Sequence, residues 1–371
     1  MEIHERYMRI ALELASATRG QTSPNPHVGA VLVKEGRIIG IGAHLGAGTP
    51  HAEVHALQMA GEAAEGATLY VTLEPCNHHG RTPPCTEAIV TAGVARVIIG
   101  CADANPQVGG AGVVRLRDAG IDVVKGVLET ECRRLNEAFF HYIQNGIPFV
   151  TVKTASTLDG KIASPTRDSK WVTGETARGY VQRLRHEHDA IMVGIETVLA
   201  DDPQLTARLP EGGLNPIRVI VDSRLRLPLD ARVCDTSVAP TWVFCTVGHD
   251  PAKRQALADR GVRVFTVGSG ERVILKEMLR ILGEHEVTSV LVEGGSTLNG
   301  ALLKEGLVHK VIAFLAPKLL GGQTSLTSFG GEGWESMSEA VSLSEVQVRP
   351  FGEDLCVIGY PQFSGVEGGV F

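Results

Sequence analysis

Residues 75–85 read PCNHHGRTPPC, two thiols nine positions apart with two imidazoles between them and two prolines against the second thiol. Thiolate and imidazole are the ligands of a borderline-soft metal such as zinc. Pro83 and Pro84 also prime a helix start at Cys85, where backbone N–H groups favour thiolate over thiol. Cys76 and Cys85 alone do not complete a site, so a third donor is needed. His78 and His79 are the neighbours, and His51, opening HAEVHA after the loop GAGTP, is the other candidate. Glu53 follows His51 by two positions. In mid-helix such a pair points to nearly opposite sides, so the two converge only at a helix start, where Pro50 puts them. One imidazole and two thiolates leave the fourth position of zinc to water and lower its pKa towards neutrality. An adjacent carboxylate must then take up and return protons.

A His-x-Glu pair, or two thiols nine apart, arises often by chance; their conjunction in this order carries the zinc reading. The order His-x-Glu, Pro-Cys, Cys is that of zinc enzymes that hydrolyse amino groups from bases, although eight residues, not two, separate these thiols. His55 then reads as helix packing and His79 as a loop residue.

Elements of the right kind flank these residues. VGAVLVKEGRIIGIG (28–42) reads as a hairpin turning at Glu35-Gly36, HAEVHALQMAGEAA as a helix, and ATLYVTL (67–73) as a buried strand. CTEAIVTAG is a helix closed by Gly93, VARVIIGCA a strand, and ETECRRLNEAFFHYIQNG one long helical segment ending at Asn145-Gly146 before Pro148. That punctuation divides the 371 residues into domains 1–146 and 147–371, sizes that each support a core. Seven further strand-like runs, from PFVTVKTAS to KVIAFLAPKLLGG, alternate with helical stretches, so both domains are expected to be α/β with mixed or parallel sheets.

Composition narrows the function. A net charge of −7 with no run of Lys or Arg argues against nucleic acid as a partner. The opening MEIHERYMRIALELA suits an amphipathic helix and not a signal peptide, and no apolar run approaches a membrane span. Seven cysteines without paired spacing suit a reducing cytoplasm, and Cys101, Cys132, Cys234, Cys245 and Cys356 read as small core residues. The expected protein is cytoplasmic, homo-oligomeric, and without nucleic-acid or membrane partners.

The motifs PNPHVGAVLV (24–33), HAEVHAL (51–57), VTLEPCNHHGRTPPC (71–85) and DANPQV (103–108) resemble the bifunctional deaminase-reductases of riboflavin biosynthesis. So do KTASTLDGKIA (153–163), SKWVTG (169–174), TVLADDPQLTAR (197–208), VIVDS (219–223), LVEGGSTLNGALL (291–303) and APKLLGG (316–322). The long thiol-to-thiol loop is a feature of that family, and the resemblance runs over essentially the whole chain. It implies a cytidine-deaminase-like three-layer first domain and a dihydrofolate-reductase-like second domain. The first would use Zn2+ to hydrolyse the ring amino group of a 2,5-diamino-6-ribosylamino-pyrimidinone 5′-phosphate. The second would use NADPH to reduce the ribosyl group to ribityl.

By match, His51, Cys76 and Cys85 hold the metal, Glu53 shuttles protons, and Asn25, His44, His78, Arg81, Asp103 and Asn105 hold the phosphorylated pyrimidine. A cation such as Arg81 beside the metal suits a phosphate ester. Asn25, between two prolines, equally suits a turn, and Asp103 and Asn105 equally suit loop capping. In the second domain Ala155, Trp171, Thr197, Asp201, Ser223 and Gly295 match cofactor positions. Lys153, Ser169, Arg185, Leu205, Arg208 and Glu293 match substrate positions, with Arg185 and Arg208 a second phosphate clamp. VEGGSTLNGA offers free N–H groups at a helix start to a diphosphate. Arg224, directly after Ser223, stands where an NAD-selective site would present an acid, which leans towards NADPH. Residue types alone leave Trp171 as plain core.

Overall fold

The computed structural model describes residues 2–79, 83–104 and 109–363. It divides into two compact units, the first ending at Gly146 and the second beginning at Ile147.

The first unit carries helix α1 (Glu2–Ser16), the hairpin β1 (Gly29–Lys34) and β2 (Arg37–Ala43), α2 (Ala52–Ala60), β3 (Thr68–Leu73) and α3 (Cys85–Thr91). It continues through β4 (Arg96–Cys101), α4 (Ala111–Asp118), β5 (Asp122–Lys125), α5 (Glu129–Leu135) and α6 (Glu137–Asn145). The sheet order is β2-β1-β3-β4-β5, antiparallel through β3 and parallel beyond. Two glycines set the layers. A Cβ on Gly29 would strike the Ala11 carbonyl of α1, and one on Gly42 the Ala52 carbonyl of α2. Gly42 pairs with Ala30, the neighbour of Gly29, so the two glycines face opposite sides of the sheet and the helices cover both. The result is the expected three-layer α/β/α unit.

One expectation fails here. The segment read as a single helix breaks at Asn136, between α5 and α6. The Asn136 amide, 1% exposed, accepts from the His27 N–H at 2.8 Å and donates to the His27 carbonyl at 2.9 Å. Both hydrogen bonds go to a backbone that has no other ladder partner, and the helix yields at that residue (φ −110°, ψ 22°).

The second unit starts with β6 (Phe149–Thr157), β7 (Lys161–Ala163), α7 (Glu175–Glu187), β8 (Ala190–Gly194), α8 (Ile195–Asp201), β9 (Ile217–Val221), β10 (Thr241–Cys245) and α9 (Pro251–Ala258). Then come β11 (Arg263–Thr266), α10 (Leu275–Glu284), β12 (Ser289–Val292), α11 (Ser296–Lys304), β13 (Lys310–Ala316), β14 (Leu326–Thr327), β15 (Ser342–Phe351) and β16 (Asp354–Gln362). Nine strands run β11-β10-β9-β8-β12-β6-β13-β16-β15, parallel up to β13 and antiparallel in the last two pairings. Alternate residues fall into separate cores: Met192, Val219 and Phe244 on one face, Ile191, Ile220 and Val243 on the other. Burial on both faces explains why these strands read as unbroken apolar runs. The closing hairpin β15–β16 was not among the strands expected; it turns at Gly352 (φ 66°). Among the described residues no helix is long and apolar enough to cross a membrane.

Candidate active sites

In the first unit His51 is the N-cap of α2, in extended conformation, and Glu53 lies one residue inside the helix, 3% exposed. Cys85 is the first residue of α3, capped by Pro84, and Cys76 lies in the loop after β3. That loop is tied to the helix: the Cys85 N–H reaches the Cys76 Sγ at 3.4 Å, the Thr86 N–H the Cys76 carbonyl at 3.2 Å, and the Thr86 hydroxyl the Asn77 side chain at 2.8 Å. His51 Nδ1 stands 3.1 Å from Cys85 Sγ and 3.5 Å from Cys76 Sγ. The three donor atoms lie within 4.8 Å of one another. Zinc bonds of about 2.1 Å to nitrogen and 2.3 Å to sulfur put tetrahedral neighbours about 3.6 Å apart, so the donors fit zinc by type and spacing. Of the open alternatives for the third ligand, the geometry selects His51 through Nδ1; His78 and His79 are exposed.

The electrostatics match a metal pocket. A hydrogen bond from the Cys85 thiol, and others from His51 and the Cys85 N–H, outweigh burial and bring Cys76 down to about 4. Its hydrogen bond with Cys76, and burial, push the Cys85 thiol far up. Burial, then the charge of Cys76, raise the Glu53 carboxyl to about 7 against the opposing pull of His51.

The expected substrate residues divide. Asn25 closes a turn with Thr22 (N–H to carbonyl, 2.9 Å), and its side chain also donates to His44 Nε2 at 3.0 Å. His44, 2% exposed, must then donate from Nδ1 to the Pro50 carbonyl at 3.3 Å; burial, the largest influence, lowers its pKa and favours that neutral form. Its ring meets the His51 ring edge-on at 5.2 Å. Asp103 is half-buried just beyond β4, and His78 sits in the exposed part of the thiol loop. Arg81 and Asn105 lie outside the described residues.

In the second unit a cavity of about 940 Å³ opens on the carboxyl-terminal sides of β6, β8, β9 and β12. Strand order reverses there: β12 inserts between β6 and β8, which both precede it in the chain. Such a switch point is where open α/β sheets hold ligands. All six positions expected to touch a cofactor, Ala155, Trp171, Thr197, Asp201, Ser223 and Gly295, line this cavity. Trp171 is 65% exposed with the Arg178 guanidinium 4.6 Å over its ring, which removes the plain-core reading. Lys153, Ser169, Arg185, Arg208 and Glu293 line it as well.

Leu205 does not. Its side chain, 3% exposed, packs in the apolar cluster with Val193, Ile195 and Val198, so a side-chain contact to substrate is withdrawn. Arg185, which lines the cavity, is heavily engaged. It forks onto Glu293 at 2.6 and 3.0 Å and gives its remaining arm to the Thr206 carbonyl at 3.1 Å. A guanidinium so engaged is not a surface ion pair, and it commits three of its five N–H groups within the protein while lining the cavity. Lys153 Nζ adds a contact to Glu293 at 3.2 Å. Burial would raise the Glu293 carboxyl, but the charges of and hydrogen bonds from Arg185 and Lys153 prevail and hold it at about 2. Arg208 remains as the open cation, with only a 3.4 Å approach to the Thr206 hydroxyl. Arg224 is not among the lining residues; Arg226 and Arg272 are, and reading along the strand after Ser223 had no means of finding Arg272, 49 residues on.

Known proteins share this layout. The family profile of the RibD C-terminal domain matches residues 148–357, and that of the cytidine and deoxycytidylate deaminase zinc-binding region matches residues 1–101. The riboflavin biosynthesis protein RibD of Bacillus amyloliquefaciens is 45% identical over 360 residues, 97% of each chain. The chain belongs to the RibD family. The Escherichia coli RibD protein is 42% identical, over 95% of this chain and 98% of its own. Among solved structures, Acinetobacter baumannii RibD superposes with a TM-score of 0.87 at 41% identity, covering 97% of this chain and 99% of that one. The diaminohydroxyphosphoribosylaminopyrimidine deaminase/5-amino-6-(5-phosphoribosylamino)uracil reductase of Thermotoga maritima gives 0.85 at 40% identity, over 97% and 99%. This RibD-family chain is thus bifunctional, with a zinc-binding deaminase-like domain followed by a RibD reductase domain.

Proposed function

We propose that the chain catalyses two reactions in sequence: hydrolytic deamination of 2,5-diamino-6-ribosylamino-4(3H)-pyrimidinone 5′-phosphate, then NADPH-dependent reduction of its ribosyl group to ribityl. Residues 1–146 are assigned the first reaction and residues 147–371 the second. The observation that carries this reading is the convergence of His51, Cys76 and Cys85 donors within 4.8 Å beside a buried carboxylate. It is supported by the naming of the Thermotoga relative for this pair of reactions.

His51, Cys76 and Cys85 would hold a zinc ion, which when bound would supply the Lewis acidity that makes water nucleophilic near neutral pH. Glu53 is assigned the transfer of both protons of the attacking water, one to the ring nitrogen and one to the departing amine, so that ammonia leaves as the ring carbonyl forms. Burial raises the Glu53 carboxyl, which favours its taking up a proton. Asn25, oriented by His44, presents its amide oxygen to the substrate, and Arg81 is assigned to the phosphate.

In the second reaction NADPH, when bound, would supply the hydride. The reacting carbon is placed beside Lys153, Asp201 and Glu293. Glu293 is anionic throughout the working pH range, so it orients and does not donate a proton. Lys153, whose ammonium faces the same cavity, is assigned that donation. Arg208 takes the substrate phosphate, and the N–H groups at the start of α11, after Gly295, take the cofactor diphosphate. We place the enzyme in the cytoplasm as a homo-oligomer.

The test supplies the diamino-pyrimidinone phosphate with and without NADPH and follows ammonia and NADPH separately. Ammonia should appear in both reactions, and NADPH should be consumed only after it. NADPH oxidation without prior ammonia release would reverse the proposed order.

A further inference from the structure

The side chains matched to the cofactor rest on unequal supports. Ala155 lies in β6, Thr197 and Asp201 in α8, Gly295 caps α11, and Ser223 follows β9 by two residues. Trp171 has no such support. It sits in the connection 164–174, which runs from the end of β7 at Ala163 to the start of α7 at Glu175 with neither helix nor strand. Its indole nevertheless lines the cavity, so its position depends on whatever holds the connection.

The first half of the connection bonds to itself. The Ser164 N–H reaches the Asp168 carbonyl, the Arg167 N–H the Ser164 carbonyl, both at 2.9 Å, and the Lys170 N–H the Asp168 side chain at 3.3 Å. Its far end is held from outside. The Gly174 N–H donates to the Asp354 carboxylate and Arg178 to the Thr173 carbonyl, both at 2.7 Å. Between these parts the tether is Lys318, two residues beyond β13. Its Nζ donates to the Trp171 carbonyl at 2.9 Å and to the Val172 carbonyl at 2.8 Å. Among the described residues Lys318 is the only hydrogen-bond partner Trp171 has. An ammonium offers three N–H donors, so it serves both carbonyls at once, in bonds strengthened by its charge.

Lys318 is itself fixed. Its carbonyl accepts from the Leu158 N–H at 2.9 Å. The Asp159 carboxylate accepts from the Leu320 N–H at 3.1 Å, the Gly321 N–H at 2.7 Å and the Thr157 hydroxyl at 2.6 Å. The turn after β6 therefore grips the chain on both sides of Leu319. Lys318 is not among the residues lining the cavity, so it can affect a ligand there only through what it holds.

Resting on the reductase reading above, we propose that Lys318 is a positioning residue of the reductase: it holds the Trp171–Val172 backbone so that the indole, backed by Arg178, stands against the bound dinucleotide. Asp159 supports it by fixing the chain just beyond.

The test is equilibrium binding of NADPH to the full-length, zinc-loaded protein by titration calorimetry, with Lys318 substituted in the presence and absence of Trp171. Lys318→Met should weaken NADPH about 10-fold, the value of a lost charge-assisted bond. Lys318→Arg keeps the charge and more than one N–H donor, and should recover most of that loss. In a Trp171→Ala background Lys318→Met should cost little further, because the group through which it acts is gone. Unchanged NADPH binding in Lys318→Met, or the same fold-loss with and without the indole, would overturn the proposal and leave the reductase reading intact. A loss in Lys318→Arg as large as in Lys318→Met would overturn it likewise. Failure of the unsubstituted protein to bind NADPH would remove the reductase reading and this inference with it.

Discussion

The two sites are charged in opposite senses. In the first unit an imidazole, two thiols and a carboxyl converge with no cation of the described chain between them, and their protons are displaced from ordinary values as a result. Such a cluster is completed by a metal ion. The second site has already neutralised its buried acid, with Glu293 between Arg185 and Lys153, and leaves Arg208 and Arg272 open. A cavity of that kind is completed by anions, as a phosphorylated sugar and a phosphorylated dinucleotide would provide. The lesson is that the acid in each site has a different task. Burial pushes the Glu53 carboxyl up, towards the protonated form, whereas two neighbouring cations hold Glu293 charged.

The sharpest way to break this contrast is at Glu53. Glu53→Gln keeps size and hydrogen bonding but cannot shuttle protons, so deamination should fall by at least about 10²–10⁴-fold. Zinc content and NADPH-dependent reduction of supplied intermediate should be unchanged. Loss of zinc on this substitution would mean that Glu53 is part of the metal's coordination and not the shuttle.

Glu293 should instead reveal itself through stability. Its carboxyl lies at about 2 in the folded protein against an ordinary 4.5, so the folded state prefers the charged form. The stabilisation, about 3 kcal/mol by linkage, is complete above pH about 4.5 and is lost as pH falls towards 2. Thermal unfolding of the second unit should show that acid limb. Glu293→Gln should flatten it and cost about 3–5 kcal/mol at neutral pH, since two buried cations lose their partner. An acid limb unchanged in the variant would remove the contrast between the two acids.

A smaller effect sharpens the same comparison. Arg208→Ala should raise the apparent KM for the deaminated substrate by the equivalent of about 1.5–3 kcal/mol, with deamination unaffected. Equal loss in both reactions would indicate a folding defect and not an open phosphate site.

The difference between the sites also explains what the sequence revealed. Cys76, Cys85 and His51 are uncommon residue types at structurally marked places, a strand end and two proline-primed helix starts, so local rules located them. The His51 nitrogen that faces the thiols, and the tautomer of His44, depend on side-chain packing and were not legible. In the second unit the strands were legible as apolar runs, but the cavity is assembled by crossovers that bring residues 153, 185, 223, 272 and 293 together. Arginine is common on surfaces, and nothing local distinguishes Arg272, which is open, from Arg185, which is spent on Glu293. Motif resemblance gave Leu205 a substrate position but could not show that its side chain turns into the core.

Asn136 supplies the last test, because there a long-range contact overrode a local pattern. The helical periodicity of residues 129–146 is good enough to have been read as one helix, yet Asn136 breaks it to satisfy the His27 backbone. His27 lies two residues beyond Asn25, so the same pair of bonds steadies the loop that carries a proposed substrate contact. Asn136→Ala leaves a buried N–H and carbonyl unpaired and should cost the first unit about 1–3 kcal/mol in denaturant unfolding. The KM for deamination should rise with little change in kcat, because the substrate loop loosens while the zinc ligands and Glu53 stay on α2, α3 and the tied thiol loop. Reduction by the second unit should not respond. If stability falls but the KM does not move, Asn136 serves only the fold and the loop is held by the Asn25–His44 bond and the turn with Thr22.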